Sequence, residues 1–188
     1  MIPYGKHDVK LIEALKVAFQ IRFRSLTQGS KINEFEKLVA EMVGAKYAVA
    51  VSSATAGLHI AMLALDLKND SKIITSPISF VASSNSIIYA GHKPVFVDID
   101  RDSLNLDLTL VEKKINADPS IHAVVPVHFA GLPCDMKRLS DFTQSRSLKI
   151  VEDAAHALGA LYPSGEKVGS CAYSDMTVFS FHPVKSIT

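Results

Sequence analysis

Leu148-Lys149-Ile150-Val151-Glu152-Asp153-Ala154-Ala155-His156 sets the reading of this 188-residue chain. The run 148–151 is β-rich and does not alternate, as expected of a strand buried on both faces. It ends in two carboxylates, and a histidine follows one short turn later. Working outward, the runs 47–51, 72–75, 95–97, 123–127 and 176–181 read as strands in the same way. Helical segments fit between them at 55–65, 80–90, 108–115 and 136–145. Strands alternating with helices predict an α/β chain with a mostly parallel sheet flanked by crossover helices. Upstream, Val9, Ile12, Leu15 and Phe19 mark one face of a helix that Asp8 would cap. Ile32, Phe35, Leu38, Val39 and Met42 mark a second helix, closed by Gly44. Both are expected to be amphipathic. Pro163-Ser164-Gly165 is a turn signal between two short segments and predicts a hairpin. No repeat, low-complexity tract or linker is evident.

Composition narrows the partners. Hydrophobic residues make up 48% of the chain and charged residues 21%, with a formal net charge of +1. This profile fits a globular chain with one sizeable core. Cationic and anionic residues are interspersed, so neither nucleic acid nor an anionic membrane is expected, and a small molecule is the predicted partner. The longest apolar stretches, such as 45–51 and 123–127, fall far short of the roughly 20 residues that cross a bilayer. Met1-Ile2-Pro3-Tyr4-Gly5-Lys6-His7-Asp8 has no apolar segment of a secretory signal, and a cytoplasmic protein is inferred. Cys134 and Cys171 are far apart, with no Cys or His pair at zinc spacing, and are read as ordinary thiols; no metal site is expected.

In parallel sheets, ligands gather at the carboxyl ends of strands, where helices begin. Three such positions carry chemistry. After Val51, Ser52-Ser53-Ala54-Thr55-Ala56-Gly57 offers backbone N–H groups, a helix dipole and the Thr55 hydroxyl to a phosphate, or simply an N-cap serine. It lacks the G-x-G-x-x-G of a dinucleotide site. At the end of 148–151, Asp153 either caps a following helix or holds a pyridinium nitrogen protonated. In Phe179-Ser180-Phe181-His182-Pro183-Val184-Lys185 a strand delivers Lys185 just beyond its end. That lysine is either a solvated surface charge or, in a partly dry pocket, a nucleophile toward an aldehyde.

Taken in order, these segments resemble one family. Leu26-Thr27-Gln28-Gly29, Ser53-Ala54-Thr55, Pro94-Val95-Phe96-Val97-Asp98, Val125-Pro126-Val127-His128, Glu152-Asp153-Ala154-Ala155-His156 and the Lys185 segment are together similar to the DegT-type nucleotide-sugar aminotransferases. These have the type I, aspartate aminotransferase-like fold that uses pyridoxal 5′-phosphate (PLP). Thr75-Ser76-Pro77-Ile78-Ser79-Phe80-Val81-Ala82 and the segment 179–188 look closest to the pseudaminic-acid branch, whose members aminate C4 of a UDP-linked 4-keto-6-deoxy-N-acetylhexosamine.

The resemblance implies a role for each matching position. Lys185 matches the Schiff-base lysine, which also moves protons during transamination. Asp153 matches the partner of the ring nitrogen, and His156 lies where the family places Gln or His near the cofactor's 3-oxygen. Phe80 falls where an aromatic ring stacks on the cofactor, or else is a core phenylalanine on a helix face. Ala54, Thr55 and Ser180 match the phosphate cup, and Thr27 and Gly29 the sugar-binding loop. His182, His59, His92, His122 and His128 are read as neutral structural histidines. Lysine at 185, where related sugar dehydratases have histidine, favours amino transfer. Glutamate is the implied donor, a nucleotide sugar the acceptor, and a homodimer the assembly. Relatives continue with a glycine-rich segment, further strands and a small carboxyl-terminal domain. Residues 1–188 are therefore expected to be the amino-terminal segment plus most of the PLP-binding large domain, truncated before the small domain. Kept beside the enzyme are an inactive fragment that binds PLP weakly or only associates with a full-length homologue, and a nucleotide-binding α/β domain without PLP, which the missing glycine fingerprint disfavours.

Overall fold

Short β-branched runs separated by amphipathic helices fold here into one parallel sheet. The computed structural model describes residues 8–186. Met1 to His7, read as lacking a signal segment, and Ile187 and Thr188, at the end of the quoted family segment, lie outside the described residues. In chain order the elements are α1 (Leu11–Phe23), α2 (Ser30–Val43), α3 (Ala54–Ala64), β1 (Lys72–Thr75), α4 (Ala82–Tyr89), β2 (Lys93–Phe96), α5 (Leu108–Ala117), β3 (Ile121–Val125), a 3-10 turn (Phe129–Gly131), α6 (Met136–Gln144), β4 (Lys149–Asp153) and β5 (Met176–Val178). The strands lie in the order β2-β1-β3-β4-β5, each pair parallel.

Alternation along the strands divides the core in two. Ile74, Val124 and Ile150 face one side, against Val111 and Ile115 of α5 and Met136 and Leu139 of α6. Ile73, Ala123, Val125 and Val151 face the other, against Leu58 and Met62 of α3 and Ala82 and Ile87 of α4. Both sheet faces are thus covered, which explains the absence of polar alternation in these strands. Along β4 the same rule sends Glu152 to the α5/α6 side and Asp153 to the α3/α4 side.

Several expectations hold: β1 spans the expected residues, Gly44 closes α2 in the left-handed conformation (φ +83°), and residues 161–167 form a short antiparallel turn around Gly165. Three need correction. Residues 47–51 are not a strand, because no ladder partner lies beside them among the described residues and a strand is defined by its partner. Tyr47 and Val49 are exposed there. The cap of α1 is not Asp8: the helix starts after Lys10, whose N–H donates to the Glu13 carboxylate at 2.7 Å. Finally, α1 does not bury one apolar face. None of its residues is buried, and Leu11, Ile12, Leu15, Phe19 and Phe23 are all exposed.

Candidate active site

The carboxyl ends of β4 and β5 and the start of α3 meet at one edge of the sheet. Gly57, in the first turns of α3, shows how closely: a Cβ there would lie 3.0 Å from Val178 Cγ1 of β5 and 3.4 Å from Val51 Cγ2. Ser53 is the N-cap of α3, its Oγ accepting from Ala56 N–H at 3.1 Å. The N-cap alternative for this segment is therefore realised. It leaves open the anion-binding one, because the first N–H groups of a helix, here those of Ala54 and Thr55, have no intrahelical partner. Ala54 is half-buried and Thr55 exposed.

Asp153, the last residue of β4, is 5% exposed. Its Oδ2 accepts from Ser83 Oγ at 2.6 Å and its Oδ1 from Ala155 N–H at 3.2 Å. Turns rather than a helix follow it, so it does not serve as a helix cap. Ser83 escaped sequence reasoning: it is 70 residues from Asp153, and no spacing rule connects them. Ser83 also joins Asp153 to the loop carrying Phe80, since Ser79 Oγ lies 2.7 Å from Ser83 Oγ. Phe80 precedes α4 and is 71% exposed, which overturns the reading of it as a core phenylalanine. Its ring is free to cover a ligand.

His156 and Lys185 are brought together from 29 residues apart, with Lys185 Nζ 2.7 Å from His156 Nε2. Burial, followed by the neighbouring Lys185 charge, holds the imidazole below its usual pKa, although Asp153 pulls the other way. A neutral imidazole is the acceptor that an ammonium requires. Lys185 is half-buried, not a fully solvated charge. Ser180, two residues beyond β5, is half-buried, and its Oγ accepts from His182 N–H at 3.4 Å. Thr27 is exposed and Gly29 caps α2, and no hydrogen bond joins either to the other candidates among the described residues. From α2, the Phe35 ring meets that of Phe181, the residue after Ser180, edge-on at 5.0 Å between centroids.

Behind the strand, Glu152 is fully buried. It stood beside Asp153 in the quoted motif, yet sequence reasoning gave it no role. Its Oε2 accepts from His128 Nε2 and Tyr162 Oη, each at 2.6 Å. Its Oε1 accepts from Ser174 Oγ at 2.5 Å and Thr177 Oγ1 at 2.9 Å. Burial opposes the charged form, but the His128, Ser174 and Tyr162 donors outweigh it and hold Glu152 below its ordinary pKa. His128 Nδ1 accepts from Cys134 N–H at 3.2 Å, which leaves Nε2 to donate to Glu152. The Cys134 thiol is free and pushed up to about 12, by burial first and by the Glu152 charge second.

A parallel sheet with a lysine beyond one strand, a buried aspartate ending its neighbour and a helix start beside both describes the cofactor domain of a fold-type I PLP enzyme. The chain belongs to the DegT/DnrJ/EryC1/StrS aminotransferase family, whose model matches residues 10–188. This family is PLP-dependent. The chain is 38% identical over 193 residues to the UDP-4-amino-4,6-dideoxy-N-acetyl-beta-L-altrosamine transaminase of Campylobacter jejuni, covering 100% of this chain and 49% of that protein. Among solved structures, it is similar to Helicobacter pylori PseC, an aminotransferase involved in pseudaminic acid biosynthesis, at a TM-score of 0.90 and 31% identity, covering 99% of this chain and 49% of that one. The PLP form of a Streptococcus pneumoniae sugar aminotransferase gives a TM-score of 0.89 at 31% identity, covering 100% and 50%. The chain thus spans about half the length of the curated relatives it matches. Among the described residues, no helix is long and apolar enough to cross a membrane.

Proposed function

We propose that this chain is the amino-terminal segment and most of the large domain of a PLP-dependent aminotransferase acting on a nucleotide-linked 4-keto-6-deoxy sugar. The product on this reading is UDP-4-amino-4,6-dideoxy-N-acetyl-beta-L-altrosamine, with glutamate as donor, in the synthesis of pseudaminic acid or a related surface glycan. The similarity to the Campylobacter and Helicobacter proteins supports the choice of sugar. One observation carries the cofactor assignment: Asp153 is a buried carboxylate with a fixed orientation, and three residues on, His156 holds the amine of Lys185.

The residues present fit PLP. When bound, the cofactor supplies the electron sink that makes a proton on the neighbouring carbon acidic. Asp153 would face the ring nitrogen and favour its protonated form. Ala54 and Thr55, with the α3 dipole and Ser180, would meet the phosphate oxygens. Phe80 would cover the ring. Lys185 Nζ would bond the cofactor and carry protons between carbons, with His156 as its neighbouring acceptor. Thr27 and Gly29 would contact the sugar.

The exposed apolar residues of α1, together with Tyr47 and Val49, favour work alongside a second protein surface, a homodimer on this reading. The test is an absorbance spectrum of the chain with PLP, followed by borohydride reduction and mass mapping. A visible band with the adduct on Lys185, both absent from Lys185→Ala, is the expected outcome. A folded chain with no adduct would leave the inactive fragment as the better reading.

A further inference from the structure

The ladder between β3 and β4 is interrupted just before Asp153, beside Val151 and Glu152, which pair on their other side with Met176 and Thr177 of β5. Ala123 pairs with Lys149 and Val124 with Ile150, and the same register reappears at Val127 and Asp153. Between them stands Pro126, which has no N–H to give. Near this break the Glu152 carboxylate gathers donors from three directions. His128 comes from beyond β3, Ser174 and Thr177 from the β5 side, and Tyr162 from the turn at 161–167. His128 closes the circuit a second time, since its backbone N–H donates to the Asp153 carbonyl at 3.1 Å, while Asp153 N–H donates to Pro126 O at 2.9 Å.

We propose that Glu152 and His128 are the positioning pair for Asp153, tying the interrupted strand end to both neighbouring strands so that the Asp153 carboxylate on the opposite face keeps one orientation; this rests on Asp153 being the partner of the cofactor's ring nitrogen. Successive residues of a strand point to opposite faces, so fixing the Glu152 side chain also fixes the backbone that aims Asp153. A fully satisfied buried network is rigid, whereas a partly satisfied one is not. Glu152 is therefore a positioning residue and touches no cofactor.

Two readouts test this in the full chain. Glu152→Gln keeps the shape but loses the charge and sets an amide against the surrounding donors. Without cofactor, amide hydrogen exchange at His128, Asp153 and Ala154 should accelerate by about tenfold or more, and at Ile73 and Ile74 by less than about threefold. With PLP, Glu152→Gln should weaken binding and shift the visible band, whereas in an Asp153→Asn background it should add nothing to either. Equal acceleration throughout the sheet, no acceleration near Asp153, or full additivity in the double variant overturns the pair. Should Glu152→Gln not fold, Thr177→Val removes a single donor and should give a smaller acceleration at the same amides; none there would also overturn it. Failure of the unaltered chain to bind PLP would instead sink the proposed function, and the exchange measurement would still decide whether Glu152 fixes Asp153.

Discussion

Every side chain of β4 after Lys149 is covered, and no side chain of α1 is buried. Ile150 and Val151 sit at 3% and 0% exposure, whereas Leu11 and Phe23 stand at 76% and 64%. By sequence α1, with nine apolar residues of 13, is the more apolar of the two, and β4 has two of five, so apolar content does not decide burial; they differ in what surrounds them. β4 lies between two strands and two helix layers, while α1 precedes the sheet and has no buried residue. Burial is a property of neighbours, and an apolar residue stabilises this chain only where a neighbour closes over it.

The largest test of that contrast is a truncation in the covered region. Leu139→Ala opens a hole beneath the sheet, where Leu139 is 1% exposed. It should cost about 2–5 kcal/mol in denaturant unfolding. A loss under about 1 kcal/mol would mean that the α6 side is loosely packed and that the contrast with α1 is overstated.

A smaller effect is expected from Glu152→Gln, about 1–3 kcal/mol, because donors that met a carboxylate are left mismatched. Its pH dependence sharpens the test. Glu152 is held below its ordinary pKa, so its stabilisation is complete above the ordinary glutamate range near pH 4.3 and is lost as the pH falls through the depressed folded value. Acid unfolding curves should therefore be flatter for Glu152→Gln than for the unaltered chain. Parallel curves would show that the cage does not favour the ionised form.

At the rim, Ser53→Ala removes one cap bond from α3 and should cost about 1 kcal/mol in the same unfolding measurement. If Ala54 and Thr55 hold a phosphate, the substitution should also weaken PLP binding.

The sheet was legible because a buried strand needs a local signature, and 72–75, 123–127 and 148–151 carry it. Residues 47–51 carry it as well and are not a strand, since a run of apolar residues reports the ability to pair and is silent on the partner. Family resemblance proposed the roles of Asp153, His156 and Lys185, which were singled out because strand ends in parallel sheets are predictable places for chemistry. Ser83 and the donors around Glu152 were not, because hydroxyls and ring nitrogens converging from 10 to 70 residues away leave no periodic trace. The phenol of Tyr162, raised by burial and then by the Glu152 charge, is one such long-range effect.

The smallest expected effect belongs to α1, and it is the one most able to break the comparison. Leu15 is 56% exposed in a helix with no buried residue. Leu15→Ala should therefore change unfolding stability by no more than about 0.5 kcal/mol, alanine being at least as good a helix former. Measured at rising protein concentration, the same substitution reports on the covering surface. If α1 is apolar because another subunit packs on it, the unaltered chain gains stability with concentration, and Leu15→Ala gains less. A loss of about 2 kcal/mol at high dilution would place Leu15 in the chain's own core and remove the distinction between α1 and β4.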